Sequence, residues 1–239
     1  MNSRSTFTDW EPDDAHSASL VQRFRRSMVI DYERWHDGVG YELGLLKLAS
    51  PRERIEIESI IISHGIGDWR DVEALAALDS PRARLALRLA AQTGRPSIRL
   101  AVLRFAGFLL TTAEQSKLLV TALDQADLYQ GLREALQLVE TIHPPEVLMA
   151  LHRGVCGRAG DIAPLFAGLL LYLHGKAHST YDRDHLPFLN RFRTDDRFER
   201  RDLHHELCTR LGIEPPIFEV AGAGALEPRR PERSESIKG

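Results

Sequence analysis

The sequence predicts an all-α protein, an α-solenoid of about three helix pairs with extra N- and C-terminal helices. Three observations predict it. Segments opening at Pro81-Arg82-Ala83, Ala113-Glu114-Gln115 and Pro145-Glu146-Val147 start 32 residues apart, and each runs through an apolar helical pattern, a break and a second helix. No Val/Ile/Thr-rich alternation bounded by turn residues marks a strand, and the run Ile60-Ile61-Ile62 sits in a helical capping context. A hydrophobic content of 43% and a charged content of 27% over 239 residues suit a globular chain with a sizeable core.

Taken in order, residues 1–16 are polar and acidic and are expected to be a disordered tail. Leu20, Phe24, Met28 and Ile30 predict a helix over 17–34, the start of a solenoid domain over 17–213. Trp35-His36-Asp37-Gly38-Val39-Gly40-Tyr41 reads as a loop, with a short helix over 42–48. Ser50-Pro51-Arg52-Glu53 combines a cap, a first-turn proline and a capping box, so a helix runs from there to about Ser63. Asp68 caps the next, which ends near Leu78. The three pairs follow at about 80–92 with 96–109, 113–125 with 128–142, and 145–157 with 161–174; His143-Pro144-Pro145 stops the middle pair sharply. A polar loop over 175–183, a short helix within 184–193 and a last helix over about 196–211, capped by Thr194 or Asp195 and ended by Gly212, complete the pattern. Residues 214–239, rich in Pro, Gly, Ala and Arg, are expected to be a disordered tail.

Val72-Glu73-Ala74-Leu75-Ala76-Ala77-Leu78 followed by Asp79-Ser80-Pro81-Arg82-Ala83 resembles a HEAT-type repeat junction, and so does Pro96-Ser97-Ile98-Arg99-Leu100-Ala101-Val102-Leu103-Arg104. The resemblance is strong over 68–110, weaker over 111–175 and absent from 1–50 and 176–239. It implies a right-handed solenoid with a binding role and makes Arg99 a brace for the neighbouring turn. It brings no catalytic residues, because the repeat itself is scaffold. The phycobilin-lyase relatives that share such repeats keep a lyase-like enzyme among the alternatives.

The net charge of −3 argues against a globally basic nucleic-acid binder. Charge is unevenly placed, however. Residues 1–79 carry a net −6, whereas Ser80 to Ala113 holds six arginines and no acid. Arg84, Arg88, Arg95 and Arg104 are therefore candidates for holding an acidic partner or a phosphate backbone, against the plainer expectation of a solvated helical face. Trp35, His36, Asp37 and Tyr41 bring an indole, an imidazole, a carboxylate and a phenol into one loop and form a candidate recognition element. The plainer reading has Trp35 and Tyr41 anchoring that loop. Tyr129 and Arg133, on the second helix of the middle pair, complete the candidate binding set.

His174, His178, His185, Asp182 and Asp184 are first-row metal donor types, but without a defined ligand spacing and beside Lys176 and Arg183. His204-His205 projects two rings about 100° apart and reads as surface. Cys156 and Cys208 form neither a disulfide framework nor a zinc motif. No phosphate loop, dinucleotide fingerprint or nucleophile elbow is present. No cofactor and no metal are expected.

The expected function is non-catalytic protein binding, of the kind in which an immunity protein occludes a toxin or effector. The alternative is a helical-repeat nucleic-acid binder of DNA glycosylase type, using those arginines with Trp35, Trp69 and Asp37 or Asp71. A metal-dependent or lyase-like enzyme is the third. The N-terminus shows no secretory h-region, and the run Ile162 to Leu173 is broken and short for a bilayer, so a cytoplasmic protein without membrane partners is expected.

Overall fold

The computed structural model describes residues 19–217 apart from 126, 128–130 and 159. Among the described residues it is all-helical, with no strand. The expected tail over 1–16 and all but residues 214–217 of the tail expected over 214–239 fall outside the described residues, as does Tyr129. No described helix is long and apolar enough to cross a membrane. The described residues divide into two compact units, the first up to Ala122 and including 131–135, the second from Leu123 and including 136–217.

The first unit opens with α1 (Leu20–Ser27), whose N-terminus carries a reciprocal capping box between Ser19 and Gln22. The single helix expected over 17–34 is two. α1 ends where the Ser27 hydroxyl turns back to the Phe24 carbonyl at 2.7 Å, and the Asp31 carboxylate caps a new helix, α2 (Tyr32–His36), through the Arg34 N–H at 2.8 Å. An aspartate inside an apolar-periodic run competes for backbone N–H groups and so restarts the helix. Trp35 and His36 consequently lie on α2, not in a loop.

α3 (Gly44–Leu48), α4 (Pro51–His64), α5 (Trp69–Leu78), α6 (Pro81–Thr93) and α7 (Pro96–Ala106) follow close to their expected bounds. Their starts are chemically explicit. Ser50, Asp68 and Ser80 each accept an N–H from the first turn, and Pro51, Pro81 and Pro96 occupy first-turn positions that have no N–H to satisfy. α4, α5, α6 and α7 pack on one another around Ile57, Ile61, Val72, Leu75, Leu87, Ile98 and Val102, and α1 closes this core with Phe24. α8 (Thr112–Gln125) and α9 (Leu132–Val139) run across the boundary between the units. α6, α8 and α10 thus open at Pro81, Thr112 and Pro145, 31 and 33 residues apart.

The second unit is built on α10 (Pro145–Gly157), α11 (Ile162–Leu173), α12 (Leu186–Asn190) and α13 (Arg197–Leu211). α10 packs on both α11 and α13, and α12 lies on α11. Asp196, rather than Thr194 or Asp195, caps α13, accepting from the Phe198 and Glu199 N–H groups at 2.8 and 3.4 Å. Gly212 ends α13 in the left-handed region at φ +76°, where its lack of a side chain avoids strain. Two helical glycines set the packing distance. A Cβ on Gly154 would lie 2.1 Å from the Phe166 ring, and one on Gly168 would lie 2.5 Å from the Thr180 carbonyl oxygen.

Gly154→Ala tests that approach. Alanine favours the helix by about 1 kcal/mol over glycine, yet overpacking against buried Phe166 costs about 1–3 kcal/mol. The variant is expected to unfold at lower denaturant than the wild type in a urea titration.

Candidate functional site: a recess rimmed by exposed aromatics

A recess of about 490 Å³ in the first unit is lined by Ile30, Asp31, Tyr32, Trp35, Tyr41, His64, Gly67, Asp68, Arg70 and Asp71. Its floor is a set of mutually satisfied polar groups. Asp71, only 1% exposed, accepts the Tyr41 hydroxyl at 2.9 Å and the Gly67 and Asp68 N–H groups at 3.0 Å each. Burial, then the Asp71 charge and hydrogen bond, hold the Tyr41 phenol well above its ordinary pKa, so it stays a donor. The Tyr41 ring packs edge-on against Phe24 at 5.9 Å.

Arg70 closes the other side. Its Nε donates to the Val39 carbonyl at 2.6 Å, its Nη1 reaches the Asp68 carboxylate at 3.0 Å, and its guanidinium lies over the Trp69 ring at 4.7 Å. Its Nη2 is buried without an acceptor, an omission that costs a charged group at least about 1–3 kcal/mol.

The rim differs from the floor. Tyr32 and Trp35 are 76% and 61% exposed, their ring centroids 6.3 Å apart, and the His36 ring lies 6.1 Å from Tyr32. His36 Nδ1 and Asp37 Oδ1 face each other at 3.3 Å with both side chains in water. Of the residues expected to anchor this segment, Tyr41 does so and Trp35 does not.

The arginines are engaged elsewhere. Arg84 makes a two-pronged pair with Asp79, both contacts at 2.7 Å, which holds the Asp79 carboxyl below its ordinary pKa. Arg88 donates to the Leu109 carbonyl and pairs with Glu114 at 3.7 Å. Arg95 donates to the Gly67 carbonyl, Arg99 to the Gly94 carbonyl, and Arg104 lies over the Phe105 ring at 5.1 Å. Arg133 is exposed on α9. Trp69, placed in the base-recognition set, is half-buried and stacks on Phe105 at 6.0 Å, and Asp71 is enclosed by its three donors.

The 174–185 segment does not gather its histidines. Asp182 accepts the His178 and Asp184 N–H groups, which lowers its pKa, and His185 Nε2 faces the Lys176 carbonyl at 2.9 Å. The donors that do converge are His152, His204 and Cys208, all buried in the second unit. The expectation that His204 lies at the surface is therefore corrected. α13 packs directly on α10 and turns His204 inward, leaving it 3% exposed. The sequence carried a usable signal, a His-x-x-x-Cys spacing in both 152–156 and 204–208, which places each histidine and cysteine on one helical face.

No protein-family model, no curated protein and no solved structure matches this chain.

Two measurements check this geometry. Tyr41→Phe removes one of three donors to Asp71 and is expected to lower stability by about 0.5–1.5 kcal/mol, read by denaturant unfolding. The second concerns His152 and His204, both pushed down to about 4, foremost by burial. The unfolded chain takes up protons below 6.5 while the folded one does not until about 4, so stability falls as pH drops through that window. In metal-free buffer, the difference in urea midpoint between pH 6.5 and 4 should shrink in the His152→Gln/His204→Gln double variant.

Proposed function

We propose that this chain is a non-catalytic protein-binding module on a HEAT-like scaffold, a stoichiometric partner that occludes a toxin or effector. It docks through Tyr32 and Trp35, with His36 and Asp37 beside them. The observation that carries this reading is the exposed Tyr32–Trp35 pair at the mouth of an open recess. Tryptophan and tyrosine are the residues most enriched among binding hot spots, because each buries a large rigid area at low entropic cost. The helix-pair spacing supports the scaffold. The non-catalytic part is supported by the polar floor, where Asp71 and Tyr41 hold each other and the surrounding backbone. The engagement of Arg84, Arg88, Arg95 and Arg104 within the protein weighs against a phosphate-gripping face.

Affinity capture with the wild type and with the Tyr32→Ala/Trp35→Ala double variant tests the reading. Truncating hot-spot aromatics costs at least about 2 kcal/mol of binding, so the double variant is expected to lose a partner that the wild type retains, with unfolding unchanged. Arg84→Ala is expected to retain that partner. Binding of a short DNA duplex that falls steeply with salt and survives the double substitution would overturn the proposal in favour of nucleic acid.

A further inference from the structure

α10 and α13 each carry a histidine followed four residues later by a cysteine, His152 with Cys156 and His204 with Cys208. The two helices pack together and bring three of these donors into one buried cluster. His152 Nδ1 lies 3.0 Å from His204 Nε2, and Cys208 Sγ lies 3.7 Å from that same His204 nitrogen. The three ligand atoms are all within 4.8 Å of one another. The imidazole rings meet at 85°, so their nitrogens converge and the rings do not stack. Residue exposures are 3%, 3% and 0% for His152, His204 and Cys208.

The 3.0 and 3.7 Å separations lie close to those of a known shape. With Zn–N of about 2.0–2.1 Å and Zn–S of about 2.3 Å, the edges of a tetrahedral site are about 3.3 Å between nitrogens and about 3.5 Å between nitrogen and sulfur. A neutral histidine pair alone accounts for the 3.0 Å contact by sharing one proton. It leaves unexplained why a thiol also faces the shared nitrogen and why the His-x-x-x-Cys spacing recurs on the facing helix.

We propose that His152, His204 and Cys208 form a binding site for a borderline transition-metal ion, Zn²⁺ in the first instance, within the second unit. Imidazole with thiolate is the donor set that selects such an ion over Mg²⁺ or Ca²⁺. Binding forms two Zn–N bonds and one Zn–S bond, and the Cys208 thiol proton leaves to solvent.

Cys156 lies outside this cluster of three converging donors. It lies one helical turn from His152 on α10. It is partly exposed, whereas the three converging donors are buried.

The experiment uses the full chain, reduced and stripped with chelator, then titrated with Zn²⁺ against a chromophoric chelator and separately with Co²⁺. One ion per chain is expected, with one proton released and a thiolate-to-cobalt charge-transfer band. Cys208→Ser should abolish that band. His204→Gln should weaken Zn²⁺ by at least about 100-fold, beyond the 10–100-fold typical of losing an outer-shell partner. His178→Gln/His185→Gln should bind as the wild type does. X-ray absorption on the zinc-loaded wild type reads the ligands without any substitution, so a misfolded variant does not obscure the result; two nitrogens with one sulfur are expected. No stoichiometric binding, a shell of nitrogen and oxygen alone, or loss of binding in the His178/His185 variant would each overturn the site.

Discussion

Every helix leaves up to four N–H groups at its start and four C=O groups at its end without partners, and a chain built from helices of five to fifteen residues meets that demand repeatedly. Side chains meet much of it here. Ser19, Asp31, Ser50, Asp68, Ser80 and Asp196 accept N–H groups at helix starts. Arginines supply the other end. Arg54 bridges the Leu46 and Leu78 carbonyls, Arg88 takes Leu109 and Arg99 takes Gly94, while Arg95 takes the Gly67 carbonyl in the turn before α5. In the second unit Arg158 takes Leu123 and Asp124, and Arg200 takes the Arg158 carbonyl. A guanidinium carries five donors in a fixed fork and stays charged, so it suits two adjacent or distant carbonyls at once. The acid-free arginine stretch from residue 80 to 113 acquires a physical role from this demand.

The same demand shapes the recess. Asp71 belongs to the capping box of α5, and that position fixes its carboxylate beside Gly67 and Asp68. The remaining acceptor capacity draws in Tyr41, and Arg70 draws in the Val39 carbonyl. The segment between α2 and α3 is thereby tied at two points. Trp35 and Tyr32 have no such ties and stay in water. A rigid floor under an exposed aromatic rim is the arrangement in which binding loses little conformational entropy.

The two units treat reactive side chains oppositely. In the first, the groups that suggest chemistry are engaged in structure or sit in solvent. In the second, an ordinary-looking helix pair encloses two imidazoles and a thiol away from water. Burial alone pushes the Cys208 thiol up to about 11, and an enclosed cluster of this kind is neutral as long as no ion enters it.

Most helices were legible in the sequence because helix starts are local. Ser-Pro-x-Glu at 50–53, Asp68, Ser80-Pro81 and Gly212 act through contacts within four residues, and the structure places helix boundaries beside each of them. The division at Asp31 escaped because an apolar stripe continues past it, whereas the competing side-chain cap is a single hydrogen bond. The site was less legible, because its contacts are not local. Tyr41 and Asp71 are 30 residues apart and His152 and His204 are 52 apart. Spacing put His204 and Cys208 on one helical face, but only the packing of α13 on α10 decided that this face points inward. The sequence by itself determined where most helices begin and end and which residues share a face. The tertiary structure decided which faces meet, because side-chain convergence depends on the angle and distance between packed helices, which no local spacing specifies.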